Sequence, residues 1–253
     1  MSANLMSLAR SGGKFLKLFG DRKMMMKTMP TARDYVQDGL VAMWDGIENA
    51  GWGVHDPNAT TWKDLSGNGH DLLLSGTASF GADHAELGGN GWFGKSTDIS
   101  PFFSETGLTA QVVSTKIGDG VNCGLYSIGL DTRFLWMWSS YQQGGGKMAF
   151  SKFVYSSNVG STYPNIASDA KTSFTLTHAN DVANTFVNKT ADRTASVSRL
   201  SVSGIDRIAI GKIQAYNNFK GNIYCVRHYS RALTSEEIAH NYAIDKARFN
   251  LPD

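Results

Sequence analysis

Cysteine is nearly absent: Cys123 and Cys225 are the two thiols in 253 residues. That is too few for a disulfide scaffold or a thiolate zinc site. With no secretion signal legible, both read as buried free thiols, able to pair only if their strands are adjacent. No apolar run of about 18 residues occurs, so no segment reads as a transmembrane helix. The net charge is only +2, so no whole-domain polycation points to nucleic acid. The six histidines show no H-x-x-x-H or H-E-x-x-H spacing, and no G-x-S-x-G elbow occurs. His228 and His240 read as structural. Glutamate is limited to Glu48, Glu86, Glu105, Glu236 and Glu237.

What is present is a globular composition: 42% hydrophobic, 18% charged, with 27 glycines. The length suits one large β domain or two small ones and can bury a sizeable core. Charge is uneven. Residues 1–30 carry Arg10, Lys14, Lys17, Arg22, Lys23 and Lys27 against Asp21, a balance of +5 that leaves −3 for the rest. A basic arm therefore precedes a slightly acidic body at 31–253. Lys14 and Lys17 interrupt its apolar stretches, so it lacks a signal-peptide core. It reads as a solvated tail or as an anchor on an acidic partner or membrane surface.

After Pro30 the body reads as short strands. The first is Leu40–Trp44, and several more fall within 72–93. Others cover Leu108–Ile117, Cys123–Leu130, Phe134–Tyr141, Met148–Tyr155, Phe174–Thr177, Thr185–Asn188, Ile205–Ile210 and Ile223–Tyr229. Turn residues separate them, the pattern of an all-β sandwich. One C-terminal helix is predicted. Thr234 and Glu237 form a capping box, and Ile238, Ala239, Tyr242 and Phe249 follow at helical spacing.

Several segments together resemble a known family. They are Leu40-Val41-Ala42-Met43-Trp44-Asp45-Gly46, then Asp64-Leu65-Ser66-Gly67-Asn68-Gly69-His70-Asp71, then Ile208-Ala209-Ile210-Gly211. The run Gly221-Asn222-Ile223-Tyr224-Cys225-Val226-Arg227-His228-Tyr229-Ser230-Arg231-Ala232-Leu233-Thr234 closes the set. The body resembles the laminin-G-like jelly-roll branch of the concanavalin A-like lectin/glucanase superfamily, including domains of gut bacterial and phage surface proteins. The resemblance covers about residues 38–247. It implies a two-sheet antiparallel jelly-roll sandwich with one C-terminal α-helix, and a binding rather than catalytic role. Glycosidases of the wider superfamily use E-x-D-x-x-E on a strand, where alternate carboxylates share a face. None of the five glutamates sits in that pattern, so no enzyme of that kind is expected. In the closing segment Ile223, Cys225 and Arg227 should alternate with Tyr224, Val226 and His228.

Three features carry candidate chemistry. Gly89-Asn90-Gly91-Trp92-Phe93-Gly94-Lys95-Ser96 satisfies the P-loop pattern. The following Pro101 and the bulky Trp92 and Phe93 argue against a phosphate cradle, so a strand–turn–strand is expected instead. Asp64-Leu65-Ser66-Gly67-Asn68-Gly69 has the opening of a calcium loop, but Ser75 stands where the closing Glu belongs. Asp64, Asn68 and Asp71 are the candidate ligands of a structural calcium. A turn stabilised by its own side chains is the preferred alternative, and no other cofactor is implied. Finally, Phe134, Trp136 and Trp138 share one strand face, with Leu135 and Met137 on the other. Either both faces are buried, or the aromatic face stacks on a sugar with Tyr141, Gln142 and Gln143 beside it. Trp52 and Trp62, after the first strand, are further candidates for a binding rim.

The expected function is recognition or attachment of a glycan or host-surface ligand. The setting is a virion or extracellular surface, with residues 1–30 docking on other structural subunits and homo-oligomers allowed. A purely structural decoration or cement protein without sugar binding is the first alternative, and a glycosidase with a different carboxylate pair or a nucleotide-binding protein the second.

Overall fold

A computed structural model gives the fold and describes residues 29–98, 100–102, 107–116, 123–128, 135–139, 152–153, 170–196, 207–212 and 217–252. The basic arm up to residue 28, together with Phe134, Tyr141, Gln142 and Gln143, lies outside them. Its strands are β1 (Leu40–Asp45), β2 (Thr61–Trp62), β3 (Leu72–Phe80), β4 (Ala85–Ser96), β5 (Leu108–Lys116), β6 (Cys123–Ile128) and β7 (Leu135–Ser139). They continue with β8 (Lys152–Phe153), β9 (Thr172–Ala179), β10 (Val182–Val187), β11 (Thr190–Ser196), β12 (Arg207–Ile210), β13 (Asn217–Asn218) and β14 (Lys220–Tyr229). One helix, α1 (Ser235–Phe249), follows.

The ladders are antiparallel except for the short β13–β6 pair. They run β11-β10-β9-β5-β14-β4-β12-β6-β7-β8, with β1 on β14 and β3 on β4. The path folds over where β14 meets β4. One layer is β11-β10-β9-β5-β14-β1, and the other is β3-β4-β12-β6-β7-β8. Between them lies the main core. Trp44, Ala110, Val112, Phe174, Leu176 and Val226 from the first layer meet Leu72, Leu87, Phe93, Ile128, Ile208 and Ile210 from the second. This is the expected sandwich: alternate residues of each strand face inward and close the core. Tight hairpins join the ladders. Asn180 and Asp181 turn β9 into β10 at φ 50° and 57°, left-handed values that Asn and Asp tolerate.

Two expectations about strand form need correction. The segment 72–93 is not several strands but parts of two long ones, β3 and β4. Gly88, Gly89 and Gly91 lie inside β4 and do not break it. Gly91 sits where a Cβ would come within 2.0 Å of the Thr77 carbonyl oxygen, opposite a register shift in β3. Gly91 thus permits close strand approach instead of a turn. In β14 the register slips between Ile223 and Cys225 against β5. This bulge places Tyr224 in the same outer cluster as Cys225, while Ile223 and Val226 join the inter-sheet core. A bulge adds one unpaired residue and so breaks the period-two pattern read from sequence.

The capped helix forms as expected. The Thr234 hydroxyl accepts from Glu237 N–H at 3.2 Å, and the Glu237 carboxylate accepts from Thr234 N–H at 2.9 Å. Asn250 ends the helix at φ 55°. The helix covers the outer face of the first layer, where Tyr242, Ile244 and Phe249 join Met43, Val113, Tyr224 and Cys225 in a second core with Ala32 and Tyr35. A buried polar hub binds these parts. Arg227 of β14 makes paired bonds of 2.6 and 2.7 Å to Asp245 of α1, which also accepts from Tyr35 at 2.8 Å and Ser173 at 3.2 Å. Gln111 Oε1 accepts from Arg227 Nε at 3.2 Å and Asn241 Nδ2 at 2.8 Å.

Candidate functional site

With α1 over the first layer, the outer face of the second layer is the one the helix leaves uncovered. Directly opposed residues of an antiparallel ladder share a face. Phe93, Leu74, Ile210 and Tyr126 form one such row, and it faces the core. The neighbouring row, Leu73–Gly94–Ala209–Ser127, therefore faces outward. Along the ladder Ser127 pairs with Trp136 of β7, and Trp136 with Lys152 of β8. At about 4.8 Å per strand, Gly94 and Trp136 are about 14 Å apart across the layer.

Trp92, two residues from Gly94, lies on this outward face. Its indole ring crosses Gly94 so closely that a Cβ there would stand 2.1 Å from Trp92 Cζ3 and 2.8 Å from Cε3. Glycine at 94 is thus what lets a large ring lie down on the strand. The Lys212 ammonium stands 4.9 Å from the ring centroid, a cation–π contact. The Lys212 carbonyl is held by the Ser127 hydroxyl at 2.9 Å. Leu73, 60% exposed, borders the plate. The sequence reading missed Trp92 because it sat inside the P-loop pattern. The available signal was its spacing of two from a glycine in an alternating strand.

That P-loop pattern forms no phosphate loop. All eight of its residues lie in β4, and Lys95 Nζ donates to the Gly69 carbonyl at 3.0 Å. The 3-10 turn Ser100–Phe102 that follows has its Ser100 N–H already taken by Asp98 at 2.9 Å, which leaves an anion no free N-terminal donor there.

The aromatic candidates separate. Trp62 is no binding-rim residue: it is fully buried, donates to the Asp45 carbonyl at 3.0 Å, and packs edge-on against Phe80 and Phe93 at 5.4 and 5.3 Å. The short β2 strand turns it inward, a placement that its Asp/Asn/Gly surroundings concealed. Trp52 is 36% exposed and stacks against Arg33 at 4.4 Å, beside the start of the described chain. Its loop is braced by Glu48, which accepts from Gly53 N–H at 2.9 Å and from Arg248 at 3.2 Å. Trp136 and Trp138 pair with Ser127 and Gly124 on β6. Trp52 thus belongs to the helix-bearing side and β7 to the far part of the other layer.

The Asp64 turn does not fit calcium. Asp64 Oδ1 accepts from Met43 and Ser66 N–H at 3.0 and 2.9 Å, and Oδ2 from the Ser66 hydroxyl and His70 N–H at 2.8 and 3.0 Å. Asn68 commits its amide to the Val41 carbonyl at 2.8 Å. Asp71 accepts from Asp64 N–H and from the Lys63 ammonium at 2.9 and 2.6 Å. Burial would raise the Asp71 carboxyl, but Lys63 and Asp64 N–H outweigh it and hold it below its ordinary value. A cation needs converging free lone pairs; donors occupy these oxygens, and Lys63 brings its own charge. Among the described residues no group of three or more His, Cys, Asp or Glu is placed to hold a metal. The turn instead ties β1 to the chain entering β3.

The perturbed titratable groups lie in the cores. His228, fully buried, contacts the Phe102 carbonyl through Nε2 at 2.8 Å and the Tyr126 hydroxyl through Nδ1 at 3.2 Å. Burial pushes its pKa down to about 4, so the ring is neutral, donating from Nε2 and accepting at Nδ1. Burial raises the free thiol of Cys225, which is inert by the same token. His240 is structural as expected, its Nε2 2.8 Å from the Asp34 carbonyl.

No family model matches the sequence, and no curated protein does. Solved structures do match. Trypanosoma rangeli sialidase superposes with a TM-score of 0.61 at 16% identity over 86% of this chain and 33% of its own. This chain therefore spans about a third of that protein. Domain 4 of AbnA, a GH43 extracellular arabinanase from Geobacillus stearothermophilus in complex with arabinotriose, gives 0.63 at 16% identity, covering 81% of this chain and 98% of that one. A tryptophan-to-alanine variant of HCR D/C VPI 5995 gives 0.60 at 10% identity over 82% and 52%. Layer order, the inter-sheet core and these likenesses agree on the fold: an antiparallel, jelly-roll-like β-sandwich with one C-terminal α-helix.

Proposed function

We propose that this chain is a non-catalytic glycan-recognition domain that binds on the Trp92 face and is attached to a larger assembly through its basic arm. The carrying observation is the asymmetry of the sandwich. One outer face is sealed by α1, whereas on the other the half-buried Trp92 lays its indole flat over Gly94. A flat ring flanked by polar groups suits the C–H face of a sugar. The match to nearly all of a domain that holds arabinotriose supports a sugar ligand. The sialidase and arabinanase titles keep hydrolysis in view, but β3, β4 and β12 together contain one carboxylate, Glu86. Glycoside hydrolysis ordinarily takes a pair.

The arm supplies attachment. Its root is fixed on the helix side: Arg248 donates to the Pro30 carbonyl at 3.4 Å, and Ala32 and Tyr35 are buried under α1. Met29, Trp52 and Val54 are exposed at or near that root. An anchor there leaves the Trp92 face turned away from the support. A phage virion, with the arm docked on acidic structural subunits, is the setting this reading favours.

The full chain should bind on a glycan array and lose binding in Trp92→Ala, while Trp52→Ala retains it. Wild-type signal no higher than background ends the glycan reading, and release of reducing sugar ends the non-catalytic one. Lys14→Glu with Lys17→Glu should abolish co-sedimentation with the assembled particle; unchanged co-sedimentation refutes the anchor.

A further inference from the structure

The charge around the indole plate narrows the ligand class. Lys212 is half-buried and its ammonium caps the Trp92 ring. Arg207 stands opposite Ser96 on β12, two residues from Ala209 and so on the same outward face. The carboxylate of β4, Glu86, is six residues from Trp92, about 20 Å along an extended strand. Lys212 thus holds a positive charge against the ring in a protein that as a whole is close to neutral.

We propose that this face selects acidic glycans, those bearing a carboxylate or sulfate, with Trp92 taking the apolar face of the sugar and Lys212 its anionic group. The inference rests on the glycan reading above and concerns the same site. Lys212 is suited to the exchange. Its backbone is fixed by Ser127, while the four-carbon stem lets the ammonium leave the ring and meet an acid on a sugar stacked there. A cation waiting over the ring is thereby replaced by a ligand that satisfies both groups. A neutral sugar displaces the same ammonium and offers it nothing in return.

The test uses the full chain against uronic- and sialic-acid-terminated oligosaccharides and sulfated ones, each carboxylate probe printed beside its methyl ester. The acids should bind about tenfold more tightly than their esters at low salt, and the preference should shrink as salt rises. Lys212→Gln should remove most of that tenfold preference, by weakening the acids and not the esters. Trp92→Ala should abolish both, and Trp92→Phe should keep the acid preference at lower affinity. Thermal melting confirms that each variant is folded. Equal binding of acid and ester, or a Lys212→Gln preference unchanged from wild type, overturns this inference and leaves the glycan reading standing. Absence of binding to every probe overturns both.

Discussion

Replacing Arg227 by methionine isolates the hub that fastens the helix to the sandwich. Arg227 and Asp245 are buried to 1% and 0% side-chain exposure. Burial alone would weaken the arginine's charge, yet Asp245 outweighs it and drives the guanidinium further toward its protonated form. Arg227→Met leaves Asp245 with two neutral donors, Tyr35 and Ser173. Stranding a buried carboxylate in this way costs about 3–5 kcal/mol. For a chain of this size that lowers the melting temperature by on the order of 10 °C. The loss should be local first. Tyr35 also stacks under the Arg227 guanidinium at 4.0 Å, so α1 and the segment from Pro30 to Tyr35 should gain hydrogen exchange before the inner strands. The double variant Arg227→Met, Asp245→Leu removes both charges and should recover most of the stability. Chemical denaturation measures all three proteins. A single-variant loss below about 1 kcal/mol, or a double variant no better than the single, refutes the account of the hub as a coupled ion pair.

Three further outcomes follow from particular contacts. His228 has a folded pKa of about 4 against an ordinary 6.5, so between those values the unfolded chain takes up a proton that the folded one refuses. Its contribution is complete above 6.5 and is lost as pH falls toward 4, at most about 3 kcal/mol; a wild-type denaturation profile no steeper there than that of His228→Gln would count against it. Gly94→Ala should push Trp92 off the strand, weakening glycan binding at least tenfold and shifting indole fluorescence, and unchanged binding would mean that the plate is not the site. Thr234→Ala removes the cap on Glu237 N–H and should cost about 1 kcal/mol by denaturation, whereas a neutral result would show the helix held by packing alone.

The parts of the fold that follow local rules were legible in the sequence. The capping box, the helical stripe through Ile238, Tyr242 and Phe249, and strands such as β1 and β5 are set by neighbouring residues. What escaped depends on partners far along the chain. Tyr224 reads as one step in an alternation, and only the register against β5 reveals the extra residue. Gly88, Gly89 and Gly91 read as punctuation because glycine serves both turns and tight strand contacts. Trp62 looked like a rim residue because the polar loop around it hid the two-residue strand that turns it inward. The Asp64 turn was readable as a self-bonded turn, since its donors lie within a few residues, apart from the Met43 amide. For the site, the aromatic richness was visible, but the helix-covered face could be told from the other only once the layers were assembled.

The strand that closes the chain is also the one in the middle. β14 holds β1 over 40–45, β4 over 85–88 and β5 over 109–116, joining residues separated by as many as 189 positions, as Leu40 and Tyr229 are. During synthesis the first layer cannot be completed until residue 229 has left the ribosome. Until then the edges of β1, β4 and β5 that await it stand bare and prone to pairing with neighbouring chains. A premature stop before residue 220 would delete the keystone of the first layer.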